Sequence, residues 1–190
     1  MLTTFTEMAS NRYTAEYLVH CQALLETIFT QIVLKPSRTW PRILFPEIGS
    51  LCQNLTSIDS FEMLEHLIQI RLPEVLFTLM AQTFPNSIAT TTYCLDALCN
   101  LVECFQEIEL FDKIQAQIQN FIHDTNSALD ILENIASNQN EVLSEKATEL
   151  IQIYFDADFS EEAFLEERTD LQFESNMEAD DGYKAEMAKP

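Results

Sequence analysis

The sequence predicts an all-α fold, and three observations lead to that prediction. Only two of the 190 residues are glycine, Gly49 and Gly182, which argues against glycine-loop nucleotide folds and against β-barrels. Apolar residues recur three and four positions apart along much of the chain, as they do on one face of an amphipathic helix. Because 47% of the residues are hydrophobic, a chain of this length can bury one sizeable core.

Small polar residues and prolines separate these apolar stretches and predict where helices begin and end. Ser, Asp and Asn side chains accept hydrogen bonds from the free amides of a first helical turn, whereas proline has no amide to donate. The predicted helices span 12–34, 46–57, 60–70, 73–84, 87–105, 107–123, 126–137 and 140–156. Short connections between them favour antiparallel neighbours.

Two helices show the apolar stripe most clearly. In the first, the shared face carries Ile88, Thr91, Leu95, Leu98, Val102 and Phe105. In the last, the residues expected to be buried are Leu143, Ala147, Leu150, Ile151 and Tyr154, and those expected to face water are Glu141, Glu145, Lys146 and Glu149.

The order of the helices suggests a repeat of short, medium and long helices, with a period near the ~40 to 47 residues typical of armadillo and HEAT units. The long helices, 46–57, 87–105 and 140–156, follow at irregular intervals. Such units bury their faces by stacking and leave an extended concave surface that suits a peptide. We therefore predict a right-handed superhelical armadillo stack of about three repeats over 1–158, followed by an acidic, largely disordered tail over 159–190.

The charge and the chemistry-bearing residues narrow the class of function. A net charge of −21 favours basic polypeptide partners over nucleic acid and anionic membrane. The five cysteines show no zinc-type spacing and are expected to be reduced core thiols. No nucleophile has a recognisable base, and no apolar run reaches membrane-spanning length. We therefore expect no enzyme, catalytic residue, metal or cofactor, and a cytoplasmic and nuclear location.

The most specific pattern runs from Leu129 to Phe155 and resembles the end of the importin-alpha family, where acidic sequence also follows. The matching residues are Leu129, Asp130, Glu133, Asn140, Ala147, Ile151, Tyr154 and Phe155. Upstream, Leu95-Asp-Ala-Leu-Cys-Asn-Leu101 resembles the ILDAISNI segment of that family's penultimate repeats. Residues 46–57 fall on the family helix that carries a Trp-x-x-x-Asn pair.

The resemblance implies a peptide-binding groove containing Ser50, Asn54, Asp96 and Asn100. In the family, tryptophans form slots for lysine stems and asparagines hold the cargo backbone. Here Asn54 keeps the asparagine position and Ser50 stands in the tryptophan position. Losing a cation–π contact of roughly 0.5 to 2 kcal/mol predicts weak binding of basic cargo peptides. From the residues alone, both asparagines are better explained as helix caps or as hydrogen bonds between repeats.

The resemblance also implies a surface recognised by the export receptor of the importin-alpha cycle. Its residues are Glu133, Glu141, Glu145, Glu149, Asp156 and Asp158. The family's basic importin-beta-binding segment and its front repeats have no counterpart here. Three alternatives stay open: a scaffold or assembly subunit unrelated to nuclear transport, a helical-bundle enzyme or regulator, and a homodimer formed through an uncapped first repeat.

Overall fold

The structure is a computed structural model that describes residues 2–11, 14, 17, 18, 21–34, 44–58, 60–103 and 108–155. The described residues are mostly helical, so the all-α prediction is confirmed. The chain divides into the units Met1–Phe155 and Asp156–Pro190. The second unit, which contains the predicted tail 159–190, lies outside the described residues.

Helices make up most of the described chain, and one short hairpin lies between the third-last and the second-last of them. They are α1 (Leu2–Ala9), α2 (Gln22–Thr27) with its π-helical continuation (Ile28–Leu34), α3 (Phe45–Thr56), α4 (Phe61–Gln69), α5 (Leu72–Thr83), α6 (Ile88–Glu103), α7 (Ile108–Gln119), α8 (Ala128–Ala136) and α9 (Glu141–Phe155). The hairpin strands are β1 (Ile122–His123) and β2 (Asn126–Ser127), which pair antiparallel.

Helices α3 to α9 lie close to their predicted bounds because local signals act at their ends. Pro46 and Pro73 occupy first-turn positions of α3 and α5, where the missing amide costs nothing. The prediction of one continuous α-helix over 12–34 is wrong, since Cys21 is not helical, α2 begins after it, and the segment from Ile28 is π-helical. The predicted helix 107–123 ends early, at Gln119, and the hairpin follows. Helix α1 has no counterpart among the predicted helices.

A capping box begins α8. The Ser127 hydroxyl oxygen accepts a hydrogen bond from the Asp130 amide at 3.2 Å, and the Ser127 amide donates to Asp130 Oδ2 at 2.7 Å. Each side chain thus satisfies an amide that the first turn leaves without a partner. The Ser127 hydroxyl and amide hold the pKa of the Asp130 carboxyl below its ordinary value.

Acid should therefore weaken this helix start. Because the folded-state pKa of Asp130 is depressed, its contribution to stability is complete above the unfolded pKa of about 3.9 and is lost as the pH falls through the folded value. We expect Asp130→Asn to flatten the pH dependence of the free energy of unfolding below about pH 4. We expect Ser127→Ala to lower that free energy by about 1 kcal/mol at neutral pH. Urea unfolding of each variant between pH 3 and pH 7 measures both effects, and identical pH profiles for Asp130→Asn and the parent chain would contradict the first.

Four helices contact one another in turn: α1 contacts α3, α3 contacts α6, and α6 contacts α9. Helix α5 packs beneath them against the π-helical segment, α6 and α8, while α4 contacts α7. Helices α3 and α6 pack tightly at Gly49 of α3, where an added Cβ would lie 3.3 Å from the Tyr93 Cβ of α6. A larger side chain there would push the two helices apart.

This packing buries more of α6 than one stripe. Of its predicted stripe, Ile88 is exposed and Phe105 lies outside the described residues. The helix is buried on two sides because it lies between α3, α5 and α9. Its buried residues are Thr90, Thr91, Cys94, Leu95, Ala97, Leu98, Leu101 and Val102.

Helix α9 also departs from its predicted pattern. Leu143, Ala147, Leu150 and Tyr154 are buried as expected, but Ile153 is buried where Ile151 was expected. Tyr154 stacks on Phe111 of α7, which turns the end of α9 toward that helix.

Candidate functional site

A polar pocket of about 540 Å³ opens on the surface of the three successive long helices α3, α6 and α9. We call it the α3–α6–α9 pocket. Its lining residues are Gln53, Asn54 and Ser57 from α3, Asp96, Cys99 and Asn100 from α6, and Lys146 and Glu149 from α9. The pocket exists because these helices stack side by side and each presents polar side chains beside its buried stripe.

Asp96 is the electrostatic centre of this pocket. Its Oδ2 accepts a hydrogen bond from Gln53 Nε2 of α3 at 2.8 Å, and its Oδ1 pairs with the Lys146 ammonium of α9. The Asp96 side chain is 19% exposed and that of Lys146 is 32% exposed. One carboxylate on α6 therefore joins the helices on both sides of it, through bonds that are shorter and stronger than those between neutral groups.

The same contact shifts the titration of Lys146. The Asp96 carboxylate, which accepts a hydrogen bond from the ammonium, raises the pKa of Lys146 above its ordinary value. Because the folded-state pKa of Lys146 is raised, the stability that this ion pair contributes is complete below the ordinary lysine pKa of about 10. That stability is lost as the pH rises through the folded-state pKa. The ion pair is thus intact at neutral pH.

The two predicted groove asparagines hold the neighbouring helix. Asn54 Nδ2 donates to the Thr6 carbonyl of α1 at 3.1 Å. Asn100 Nδ2 donates to the Gln53 carbonyl at 3.5 Å and to Thr56 Oγ1 at 3.2 Å, both on α3. Each amide thereby reaches a carbonyl near the end of a neighbouring helix, α1 for Asn54 and α3 for Asn100, and that carbonyl also accepts a backbone amide of its own chain segment. These bonds join neighbouring helices of the chain.

The structure brings together three of the four predicted groove residues. Asn54, Asp96 and Asn100 line the α3–α6–α9 pocket. Ser50 lies one turn before Asn54 on α3, where it is half-buried and is not among the lining residues.

The predicted receptor-facing residues divide between two surfaces. Glu133 is exposed on α8, and Glu141 and Glu145 are exposed on α9. Glu149, predicted for the same surface, lines the α3–α6–α9 pocket. Asp156 and Asp158 lie outside the described residues.

Sequence reasoning missed Gln53, Ser57, Cys99 and Lys146 as pocket residues. Lys146 was expected to face water, and that expectation is wrong because the side chain reaches Asp96 across the helix contact. A local signal existed, since Lys146 lies three positions after Leu143 and four before Leu150 and so borders the buried stripe. Nothing in that spacing shows which residue of α6 it would meet.

The pocket offers hydrogen-bond donors and acceptors with little unbalanced charge, which suits a polar ligand such as a polypeptide backbone. Over the part of the chain that the structure describes, no three His, Cys, Asp or Glu side chains are grouped as metal ligands.

None of the described helices combines the length and apolarity that a membrane crossing requires. Comparison with known proteins finds no matching family model, no matching curated protein and no matching solved structure.

Proposed function

We propose that the chain is a non-enzymatic protein-binding module of the armadillo type, resembling the C-terminal part of an importin-alpha nuclear transport adaptor. The observation that carries this proposal is the α3–α6–α9 pocket, where residues chosen from the family resemblance lie on successive stacked helices. In this proposal the helices form a right-handed superhelical stack, the pocket accepts an extended polypeptide, and the protein acts in the cytoplasm and the nucleus.

A repeated hydrogen bond supports the repeat arrangement. The acceptors of the two asparagine amides, Thr6 and Gln53, each lie three positions before the last residue of their helix. An asparagine amide thus reaches the same position, counted from the helix end, on α1 and on α3. Equivalent contacts between consecutive units are what a stack of similar repeats produces.

The exposed acidic face of α9 supports the receptor part of the proposal. Glu141 and Glu145 are four positions apart and therefore lie on one side of the helix, away from its buried residues. A basic surface on a transport receptor would be attracted to this side, and the attraction would weaken with salt.

A second candidate is an armadillo-like or HEAT-like scaffold unrelated to nuclear transport. Two observations favour it. Ser50 stands where a slot tryptophan would bind a lysine stem, and both asparagine amides are engaged with neighbouring helices. In this reading the groove residues hold the stack together and the partner binds elsewhere.

The first test uses purified export receptor of the importin-alpha cycle and the full chain, measured by biolayer interferometry. We expect binding that a Glu141→Lys, Glu145→Lys variant weakens at least about tenfold through charge repulsion. Glu62→Lys, the matched control, reverses the charge of an exposed glutamate on α4. This variant should bind the receptor like the parent chain.

Absence of receptor binding by a chain with an intact circular dichroism spectrum would reject the transport role and leave the fold unaffected. Affinity capture from nuclear and cytosolic extracts, with the full chain and a chain ending at Asp156, then separates the two candidates. Recovery of one stoichiometric assembly that contains no transport factor would favour the scaffold.

A further inference from the structure

We propose that Lys146 is the specificity-determining residue of the α3–α6–α9 pocket: its ammonium occupies the place at Asp96 that a ligand lysine would take, and so excludes lysine-rich peptides. This inference rests on the proposed function, in which the pocket binds an extended polypeptide. It adds which class of polypeptide the pocket accepts, namely segments held through neutral polar groups.

Both carboxylate oxygens of Asp96 already have a partner within the protein. Its Oδ1 pairs with Lys146 and its Oδ2 accepts from Gln53 at 2.8 Å. The Asp96 side chain is 19% exposed, and a ligand ammonium that took the Oδ1 contact would have to displace Lys146. Lys146 belongs to the same chain as Asp96, so its contact costs no association entropy. A ligand that replaced it would have to lose freedom of motion on binding.

The charges that line the pocket also disfavour a lysine-rich ligand. The ionisable carboxylates of the pocket lining are Asp96 and Glu149, and Lys146 neutralises one of them. Without the ammonium, the pocket would carry two negative charges and would attract a cation strongly, because partly buried charges are weakly screened. With it, a lysine-rich peptide exchanges one ion pair for another and gains little.

A neutral polar ligand can bind this pocket without competing with Lys146 for Asp96. Asn54, Ser57 and Asn100 line the pocket, and their neutral amide and hydroxyl oxygens can accept hydrogen bonds from a peptide without displacing Lys146 from Asp96. A peptide bound through such groups leaves the ion pair in place. Lys146 thereby separates two classes of ligand by charge without contacting the second class.

The test measures fluorescence anisotropy of two labelled peptides of equal length, one lysine-rich and one of serine and glutamine, with the full chain and its variants. Lys146→Met keeps an unbranched side chain that is one atom shorter and removes the ammonium. We expect it to bind the lysine-rich peptide at least about tenfold more tightly, the effect of one charge-assisted hydrogen bond. Adding Asp96→Asn should remove that gain, and the neutral peptide should bind both chains alike.

Lys113→Met is the matched control. Lys113 also belongs to an ion pair, with Glu65 at 3.8 Å, but it is 54% exposed on α7 and does not line the pocket. Its loss should leave both affinities unchanged. Lys146→Gln repeats the measurement if the methionine variant fails to reach the parent circular dichroism spectrum.

The outcomes separate the two proposals. Equal affinity of the parent chain and Lys146→Met for the lysine-rich peptide, or a gain that persists with Asp96→Asn, overturns the role of Lys146 and leaves peptide binding standing. Failure of every folded variant to bind either peptide overturns the proposed function itself, and the specificity role with it.

Discussion

Truncating Tyr154 to alanine is expected to lower the free energy of unfolding by about 3 to 5 kcal/mol, the range for removing a large aromatic side chain from a core. Tyr154 is fully buried near the end of α9, and its ring stacks on that of Phe111 with centroids 5.9 Å apart. Its backbone carbonyl accepts hydrogen bonds from Gln115 and Gln119 of α7 at 3.3 and 3.0 Å. The ring and the backbone carbonyl of Tyr154 thus both join α9 to α7, and the alanine variant removes the ring contact.

Tyr154→Phe is the control for this variant, because it keeps the ring and removes only the hydroxyl. That hydroxyl is buried, and no described atom forms a hydrogen bond with it. Its loss should therefore leave stability within about 1 kcal/mol of the parent chain or raise it. Urea unfolding followed by circular dichroism measures both variants. A phenylalanine variant as unstable as the alanine variant would show that the hydroxyl, and not the ring, carries the stabilisation.

Truncating Phe77 to alanine is expected to have a similar cost, about 3 to 5 kcal/mol. Phe77 is fully buried on α5, the helix that contacts the π-helical segment, α6, α7 and α8. Its ring lies 5.5 Å from that of Phe121, with the two planes inclined by 36°. A cavity at this point would have walls from several helices, and walls held by separate contacts collapse only in part.

Phe61→Ala is the matched control, because the same side chain is 37% exposed at the start of α4. Its removal should cost about 1 kcal/mol or less, as is usual for surface positions. Both variants are measured by urea unfolding under the same conditions. Equal losses for Phe61→Ala and Phe77→Ala would contradict the position of α5 at the centre of the core.

The helical segments could be predicted because their signals are local. Pro46 and Pro73 lie within the first turn of the helices that they begin, and apolar spacing identifies the faces that need burial. The short helix α1 is different, since an isolated helix of its length has little stability of its own. It forms against α3, and that contact has no local signature.

The hairpin between α7 and α8 was missed for a related reason. Each strand has only two residues, too few for an alternating pattern to appear. The positive φ of Asp124, 55°, is the feature that reverses the chain there. Asp is among the residues that reach this conformation, but it also caps helices, so the sequence indicates a break and leaves its form undecided.

In the candidate site, too, some features follow from local sequence and others depend on how the helices pack. Asn54, Asp96 and Asn100 were predicted, through the importin-alpha resemblance, because they occupy recognisable places within single helices. The contact between Asp96 and Lys146 joins residues 50 positions apart and depends on how α9 lies against α6. Which residues bear a charge is a local fact of the sequence. Which charge neutralises which was decided only in the tertiary structure, because the strength of an ion pair depends on the distance and burial that packing imposes.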